Sequence, residues 1–345
     1  MLSSPPGGVD VPSTAQSATA GRPDRLPVAL LLPGQGAQHP GMAVGLYEHQ
    51  LVFTAAVDEV FAALGRDGGR LRADWLTERP SVPVDHVTRS QMLLFAVDYA
   101  LGCTLRSWDV HPALLLGHSV GEMAAAVLAG VFTPADAARL MWDRVNRLAE
   151  GPAGGMVAVA AAPEAVTPCL RGDVVVGALN APRQTVIAGP EPELSEVTEV
   201  LRDLGLTCRV VPSSIPFHSP ALALLAAEAE KEFAAVPAAP PRIPLISGYT
   251  AAPMTDLEAA DPAYWASHPA VPVRFWPALD HLLSGPGLQL VECGPGRGLG
   301  TVARRHPAVV NDRSRVLSLL PPGPTDPACT RDCLAAAEAV LTGRG

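Results

Sequence analysis

The chain has 345 residues, 48% of them hydrophobic and 17% charged, with a formal net charge of -9 at pH 7. That is enough apolar material for one large domain or two. With lysine present only at Lys231 and no Lys/Arg stripe, the composition excludes nucleic acid as an expected partner. No apolar run reaches the roughly 20 residues that a membrane-spanning helix needs.

Residues 1–26 are rich in Pro, Ser, Gly, Thr and Ala, and lack the apolar centre of a signal peptide. They read as a disordered tail. Order begins at "PVALLLPGQGAQ", where Val28 to Leu32 forms a short buried strand ended by Pro33-Gly34. A long helix follows over residues 90–108. A strand over 113–116 then runs into "GHSVG", and helix formers continue to about Leu128. A further helix starts at Thr133-Pro134, with proline in the first turn where its missing N–H costs nothing, and carries Arg139, Arg144 and Arg147.

From 152 to 212 the rhythm changes. "GMVAVAA", "PEAVTPCL", "DVVVGALN", "RQTVIAG", "PELSEVTEVLRDLG" and "LTCRVVP" read as β-α-β-β-α-β, the order of a ferredoxin-like module. Its second helix is expected to bury Leu194, Val197, Val200, Leu201 and Leu204. The larger α/β unit resumes at "PLISGYT" and "LQLVECGPG", and its alternating strands and helices predict a mostly parallel sheet. "ECGPGRGLG" lacks the spacing and the acidic partner of a dinucleotide fingerprint and reads as a tight turn. After Pro321 the chain is proline-rich and then predicts a helix over 329–341. The expected division is therefore a tail (1–26), a discontinuous large subdomain (27–151 and 213–320), a small subdomain (152–212) and a C-terminal segment (321–345).

Six cysteines, at 103, 169, 208, 293, 329 and 333, form no C-x-x-C pair and no regular framework. They predict reduced thiols in a cytoplasmic protein and no metal site.

The chemistry centres on "LLLGHSVGEMAAA". A leucine run turning through Gly117 and Gly121 into a helix puts Ser119 at the apex of a strand–turn–helix, the geometry of a nucleophile elbow. Ser119 as a plain helix N-cap is the bland alternative. A serine needs a base, and nine histidines are available. His118 adjoins Ser119, but its side chain is expected to point away from it. His218, in "SSIPFHSPAL", lies where the small module returns to the large unit, a junction where a cleft is expected. His281 and His306 lie late in the chain, where a hydrolase would place its histidine. Two backbone donors must face a developing oxyanion, and the candidates are the N–H groups of Val120 and of Gln35 in "PGQGAQ".

"LLPGQGAQHPGM", "GHSVGEMAAAVLAGVFTPADAARL", "NAPRQTVIAG", "PFHSPAL", "YWASHPAVPVRF" and "VECGPGRGL" together resemble the acyltransferases of fatty acid and polyketide synthesis, of the malonyl-CoA:acyl carrier protein transacylase type. The blocks run in order from about residue 27 to 320. The resemblance implies an α/β-hydrolase-like core, mostly parallel, interrupted by a ferredoxin-like subdomain. It implies Ser119 as nucleophile, His218 as base, and Gln35 and Val120 as the oxyanion hole. Arg144 corresponds to the arginine that grips a malonyl carboxylate. Gln91, Ile215 and Phe217 fall at substrate-binding positions, and His268 offers the backbone carbonyl that orients the base, where asparagine or glutamine is more usual. "IPFH" departs from the common malonyl and methylmalonyl tetrads.

The activity implied is ping-pong transfer of malonyl from coenzyme A to the phosphopantetheine thiol of an acyl carrier protein, with no bound cofactor or metal, by a monomer acting in trans. Carrier-to-carrier transfer of an aminoacyl, peptidyl or other acyl group is the alternative, and a thioesterase or a non-catalytic docking protein are further ones. Arg209, Arg274, Arg297, Arg304 and Arg305 are candidates for meeting an acidic carrier.

Overall fold

The computed structural model describes residues 25–343. The expected tail therefore lies outside the described residues apart from Arg25 and Leu26. Nine strands occur among the described residues: β1 (Val28–Leu32), β2 (Leu114–Gly117), β3 (Gly154–Val159), β4 (Val175–Ala181), β5 (Gln184–Pro190), β6 (Cys208–Val211), β7 (Leu245–Ile246), β8 (Gln289–Glu292) and β9 (Arg315–Ser318). They build two sheets.

The larger sheet is all parallel, in the order β7-β2-β1-β8-β9. Its centre is β1, where Leu30 is in register with Leu115 on one side and Val291 on the other. Leu30, Leu31 and Leu32 are at most 1% exposed, because helices cover both faces; that is why these strands are unbroken apolar runs with no polar alternation. The helix Val87–Ser107 is buried along nearly its whole length and packs on the helices Leu51–Ala62, Val120–Ala129 and Pro134–Ala149. Thr133 caps the last of these, its Oγ1 accepting from the Asp136 N–H at 3.1 Å.

The smaller sheet is antiparallel in the order β4-β5-β3-β6. Side chains alternate across it. Val157, Val159 and Ile187 face its own helices and close a separate core with Leu194, Val197 and Leu201. Met156, Ala178, Val186 and Ala188 face the other way and join the core of the large lobe. The small lobe is thus docked through one sheet face, and Leu179 N–H to Val273 O at 2.8 Å extends the contact.

Several elements differ from the sequence reading. Val200 and Leu204 are 42% and 62% exposed rather than buried; Leu204 is the C-cap of the helix Glu193–Asp203, past its last turn. Strand β9 was not anticipated: it is the edge of the sheet and only partly covered, so its residues lack the fully apolar run of the central strands. The helices Leu51–Ala62 and Arg66–Leu76 were likewise unforeseen. "ECGPGRGLG" does turn after β8, but it also opens the helix Gly298–Ala303, whose Leu299 and Gly300 N–H groups donate to Glu292 at 2.9 and 3.0 Å. The C-terminal helix runs Pro327–Thr342 and packs on the 3-10 turn Val44–Leu46. No described helix is long and apolar enough to cross a membrane.

Candidate active site

The loops leaving the carboxyl ends of β1 and β2 lie side by side, the usual location of a ligand crevice in an open parallel sheet. Ser119 stands between β2 and the helix Val120–Ala129 with φ 54° and ψ -117°, the strained turn that presents a nucleophile. The turn closes only because two positions lack a side chain. A Cβ on Gly117 would lie 2.2 Å from the Glu122 nitrogen, and one on Gly121 would lie 2.1 Å from the Leu32 oxygen. Although Ser119 is at the N-cap position, its side chain caps nothing. It meets His218 instead, with Oγ 2.9 Å from Nε2.

His218 follows β6 on the segment that returns to the large lobe, and it too has a positive φ of 66°. Its N–H donates to the Pro269 carbonyl at 2.6 Å. Nδ1 lies 2.9 Å from the Val271 carbonyl and 3.1 Å from that of His268. Carbonyl oxygens only accept, so Nδ1 carries the hydrogen and the Nε2 lone pair faces Ser119. The Val271 carbonyl was not foreseen; it is the shorter of the two contacts, and nothing in a side-chain pattern signals a backbone acceptor. Burial first, and then the neighbouring His118, lower the His218 pKa to about 4. The imidazole is therefore neutral, and able to accept a proton, throughout the physiological range.

The Val120 N–H is the first of the helix-start donors, which have no intrahelical acceptor. Gln35 sits in the loop after β1. Its Nε2 donates to the Pro212 carbonyl at 3.0 Å, and its Oε1 accepts from Gln91 Nε2 at 2.9 Å. Gln91 is thus seated on the Gln35 side chain and braces that loop. His118 turns aside, its Nε2 2.8 Å from Asn180 Oδ1 on β4 and its ring 5.5 Å from that of Phe275. It ties the elbow to the small lobe.

Arg144 is 6% exposed. Its helix neighbours Arg139 and Arg147 pair with Asp136 and with Asp143 and Glu232. Arg144 pairs with no carboxylate among the described residues. Its Nη2 donates to the Trp265 carbonyl at 2.8 Å, its Cζ lies 5.1 Å above the Phe233 ring, and its Nε has no partner. Burial lowers its pKa to about 10, which leaves it charged. A buried, unpaired guanidinium is costly unless an anion completes it.

His268 is 2% exposed and neither ring nitrogen has a partner among the described residues. Its ring stacks on Tyr249, centroids 3.9 Å apart and planes at 19°. Burial, then the charge of Arg144, hold its pKa well below the ordinary value. Ile215 and Phe217 are both buried in the large core, with the Phe217 ring 6.3 Å from that of His218.

Tyr249 and Glu122 escaped the sequence reading. Glu122 is fully buried in the first turn after Ser119. It accepts from the Gly248 N–H at 2.7 Å and from the Tyr264 hydroxyl, and burial raises its pKa to about 7. A glutamate in a first turn reads as an ordinary helix-dipole residue; only the fold brings residues 248 and 264 to it.

A cavity of about 500 Å³ opens beside the elbow, bordered by Gln35, His118, Asn180, Phe275, Arg209 and Arg297. Arg274, Arg304 and Arg305 are exposed but do not border it. His281 is exposed. His306 faces Asp280 at 3.1 Å and packs on Trp276, so it is His218 that meets Ser119. No cluster of three metal-ligating side chains occurs among the described residues.

The acyl transferase domain family matches residues 30–296. The chain is similar to a phenolphthiocerol/phthiocerol polyketide synthase component of Mycobacterium tuberculosis, 37% identical over 281 residues, which are 81% of this chain and 19% of that protein. It is also similar to the spectinabilin polyketide synthase system protein NorB of Streptomyces orinoci, 33% identical over 299 residues, 84% of this chain and 14% of that one. It thus spans less than a fifth of the length of these curated relatives. Among solved structures, the acyl transferase domain of SpnD in complex with 2-(pent-4-yn-1-yl)malonyl superposes with a TM-score of 0.84 at 31% identity, covering 94% of this chain and 78% of that one. The acyltransferase domain from the second module of the salinomycin polyketide synthase gives 0.81 at 32%, covering 92% and 74%.

Proposed function

Because the chain belongs to the acyl transferase domain family and is an acyltransferase, we propose that it carries a malonyl-type acyl group from coenzyme A, through an ester on Ser119, to the phosphopantetheine thiol of an acyl carrier protein. The observation that carries the substrate class is Arg144, a buried guanidinium without a carboxylate partner among the described residues. A planar guanidinium binds a carboxylate in bidentate fashion and selects dicarboxylic acyl groups over acetyl.

In the first half-reaction Ser119 Oγ attacks the thioester carbonyl while His218 Nε2 takes its proton. The oxyanion forms between the N–H groups of Gln35 and Val120. As the C–S bond breaks, His218 returns the proton to the leaving thiolate. In the second half His218 deprotonates the carrier thiol, which attacks the acyl-serine, and the proton returns to Ser119 Oγ. The Val271 and His268 carbonyls favour the imidazolium formed in each half, since Nδ1–H then donates to them more strongly. Arg209 and Arg297, at the cavity mouth, suit the acidic surface of a carrier. This reading needs no resident cofactor, and acyl-CoA and carrier are substrates. Its setting is the cytoplasm and its working unit a monomer.

Intact-protein mass spectrometry after exposure to malonyl-CoA tests it. The malonyl adduct is expected on the wild type, absent from Ser119→Ala, and discharged by a phosphopantetheinylated carrier. If malonyl-CoA leaves the enzyme unmodified while an aminoacyl or peptidyl carrier protein acylates Ser119, the donor is a carrier and the malonyl reading is wrong.

A further inference from the structure

Tyr249 follows β7 in a tight loop. Its N–H donates to Ser247 Oγ at 3.0 Å, Ser247 N–H donates to the Ala252 carbonyl at 2.9 Å, and Ala251 N–H donates back to the Ser247 carbonyl at 3.0 Å. Ser247 Oγ also lies 2.6 Å from the Tyr264 hydroxyl, which donates to the buried Glu122. The loop is therefore anchored to the first turn of the nucleophile helix. The tyrosine ring is clamped. One face stacks on His268 at 3.9 Å, and Tyr264 meets it edge-on at 6.4 Å and 86°. The His218 ring stands 6.2 Å away. Burial and then the Glu122 charge raise the Tyr249 pKa, while the Arg144 charge and the Ser119 side chain oppose the rise. Ser119, His218, His268 and Arg144 are each less than 9% exposed, whereas Tyr249 is only half-buried.

Tyr249 and His268 stand between His218, which meets Ser119, and Trp265, whose carbonyl holds Arg144, so an acyl group held by Ser119 at one end and by Arg144 at the other would run along this ring. We infer that Tyr249 is a specificity-determining residue, whose clamped ring limits the length and α-branching of the acyl group that Ser119 accepts. The inference rests on the acyl-serine reading above but not on malonyl being the natural acyl group. A tyrosine free to swing would impose no limit. The His268 stack and the Ser247–Tyr264–Glu122 anchor make displacement costly, because turning the ring away exposes the imidazole face and moving the loop leaves buried donors unpaired. His268, at the position where the resemblance expects asparagine or glutamine, supplies the aromatic surface for this stack.

The test uses two alkyl fluorophosphonates, one methyl and one hexyl, as probes of Ser119. Each forms an O–P bond and expels fluoride, and needs neither Arg144 nor a carrier. The readout is the ratio of the hexyl to the methyl inactivation rate, which is independent of the fraction of active protein. In Tyr249→Val this ratio is expected to rise by at least about tenfold, the discrimination typical of one or two methylenes in a shaped pocket. Tyr249→Phe keeps the ring and is expected to keep the wild-type ratio, with a lower rate for both probes. An unchanged ratio in Tyr249→Val overturns the inference. So does a ratio in Tyr249→Phe as high as in the valine variant, since the bulk of the ring would then not be the cause. If neither probe labels Ser119 in the wild type, the acyl-serine reading itself falls and this inference with it; failure of the inference alone leaves Ser119 labelled at normal rates.

Discussion

Replacing Arg144 by alanine tests the substrate class directly. The guanidinium uses Nη2 on the Trp265 carbonyl and has no acceptor on Nε among the described residues, so it has donors left for a carboxylate. Two charge-assisted hydrogen bonds of roughly 1.5–3 kcal/mol each come to about 3–6 kcal/mol, which corresponds to a loss of about 10²–10⁴-fold. The burial that lowers the Arg144 pKa to about 10 also removes competing water, which favours the upper part of that range. Rapid-quench measurement of acyl-serine formation from malonyl-CoA and from acetyl-CoA is the assay. Arg144→Ala is expected to lose this factor for malonyl while acetyl transfer is unchanged or rises. Arg144→Lys is expected to recover only part of the loss, because an ammonium keeps the charge without the fork. Equal losses for malonyl and acetyl would mean that Arg144 only supports the fold around Trp265 and Phe233, and the argument from its unpaired charge would fail.

Three further outcomes follow from the buried groups around Ser119. In the proposed mechanism His218 must be neutral to take the Ser119 proton, and its pKa is lowered to about 4; the rate of acyl-serine formation is expected to stay level from pH 8 to about 5 and fall only near pH 4. An acid limb centred at the ordinary histidine value of about 6.5 would show that the base is solvated in the working enzyme. Glu122 is raised from 4.5 to about 7, so the stability from its protonated form is complete below pH 4.5 and lost as pH rises through 7, on the order of 3 kcal/mol at most. The wild-type Tm is therefore expected to fall relative to that of Glu122→Gln between pH 5 and 8, and parallel curves would contradict this. Glu122→Ala strands the Gly248 N–H and leaves the Tyr264 hydroxyl only its Ser247 partner, and is expected to cost about 1–3 kcal/mol in denaturant unfolding.

Much of the fold was legible because it rests on local pattern. The leucine runs at 28–32 and 114–116 read as buried strands since both faces are covered, and Thr133-Pro134 marks a helix start by cap chemistry alone. The order of short strands and helices over 154–211 identified the small module before its pairing was known. Strand β9 escaped because an edge strand, half-covered and followed by prolines, carries no periodic signal. The helices Leu51–Ala62 and Arg66–Leu76 escaped the same reading, the second with Gly68 and Gly69 inside it.

Within the site, the elbow was visible in five residues: Gly117 is demanded by the close approach of Glu122 one turn on, while the need for Gly121 comes from Leu32 on the neighbouring strand. What lay beyond the pattern depends on segments distant in sequence. Ninety-nine residues separate Ser119 from His218, and the carbonyls that fix the imidazole tautomer come from fifty or more residues further on. Backbone acceptors leave no mark on composition. The chain by itself determined which residue types can do acyl transfer and which turn presents the serine, because those follow from backbone sterics over a few positions. Tertiary structure alone decided that Arg144 has no carboxylate partner among the described residues while Arg139 and Arg147 on the same helix are paired, and that Tyr249 is clamped near Ser119 and His218. Pairing and burial are properties of the surroundings that packing assembles, and no single stretch of residues contains them.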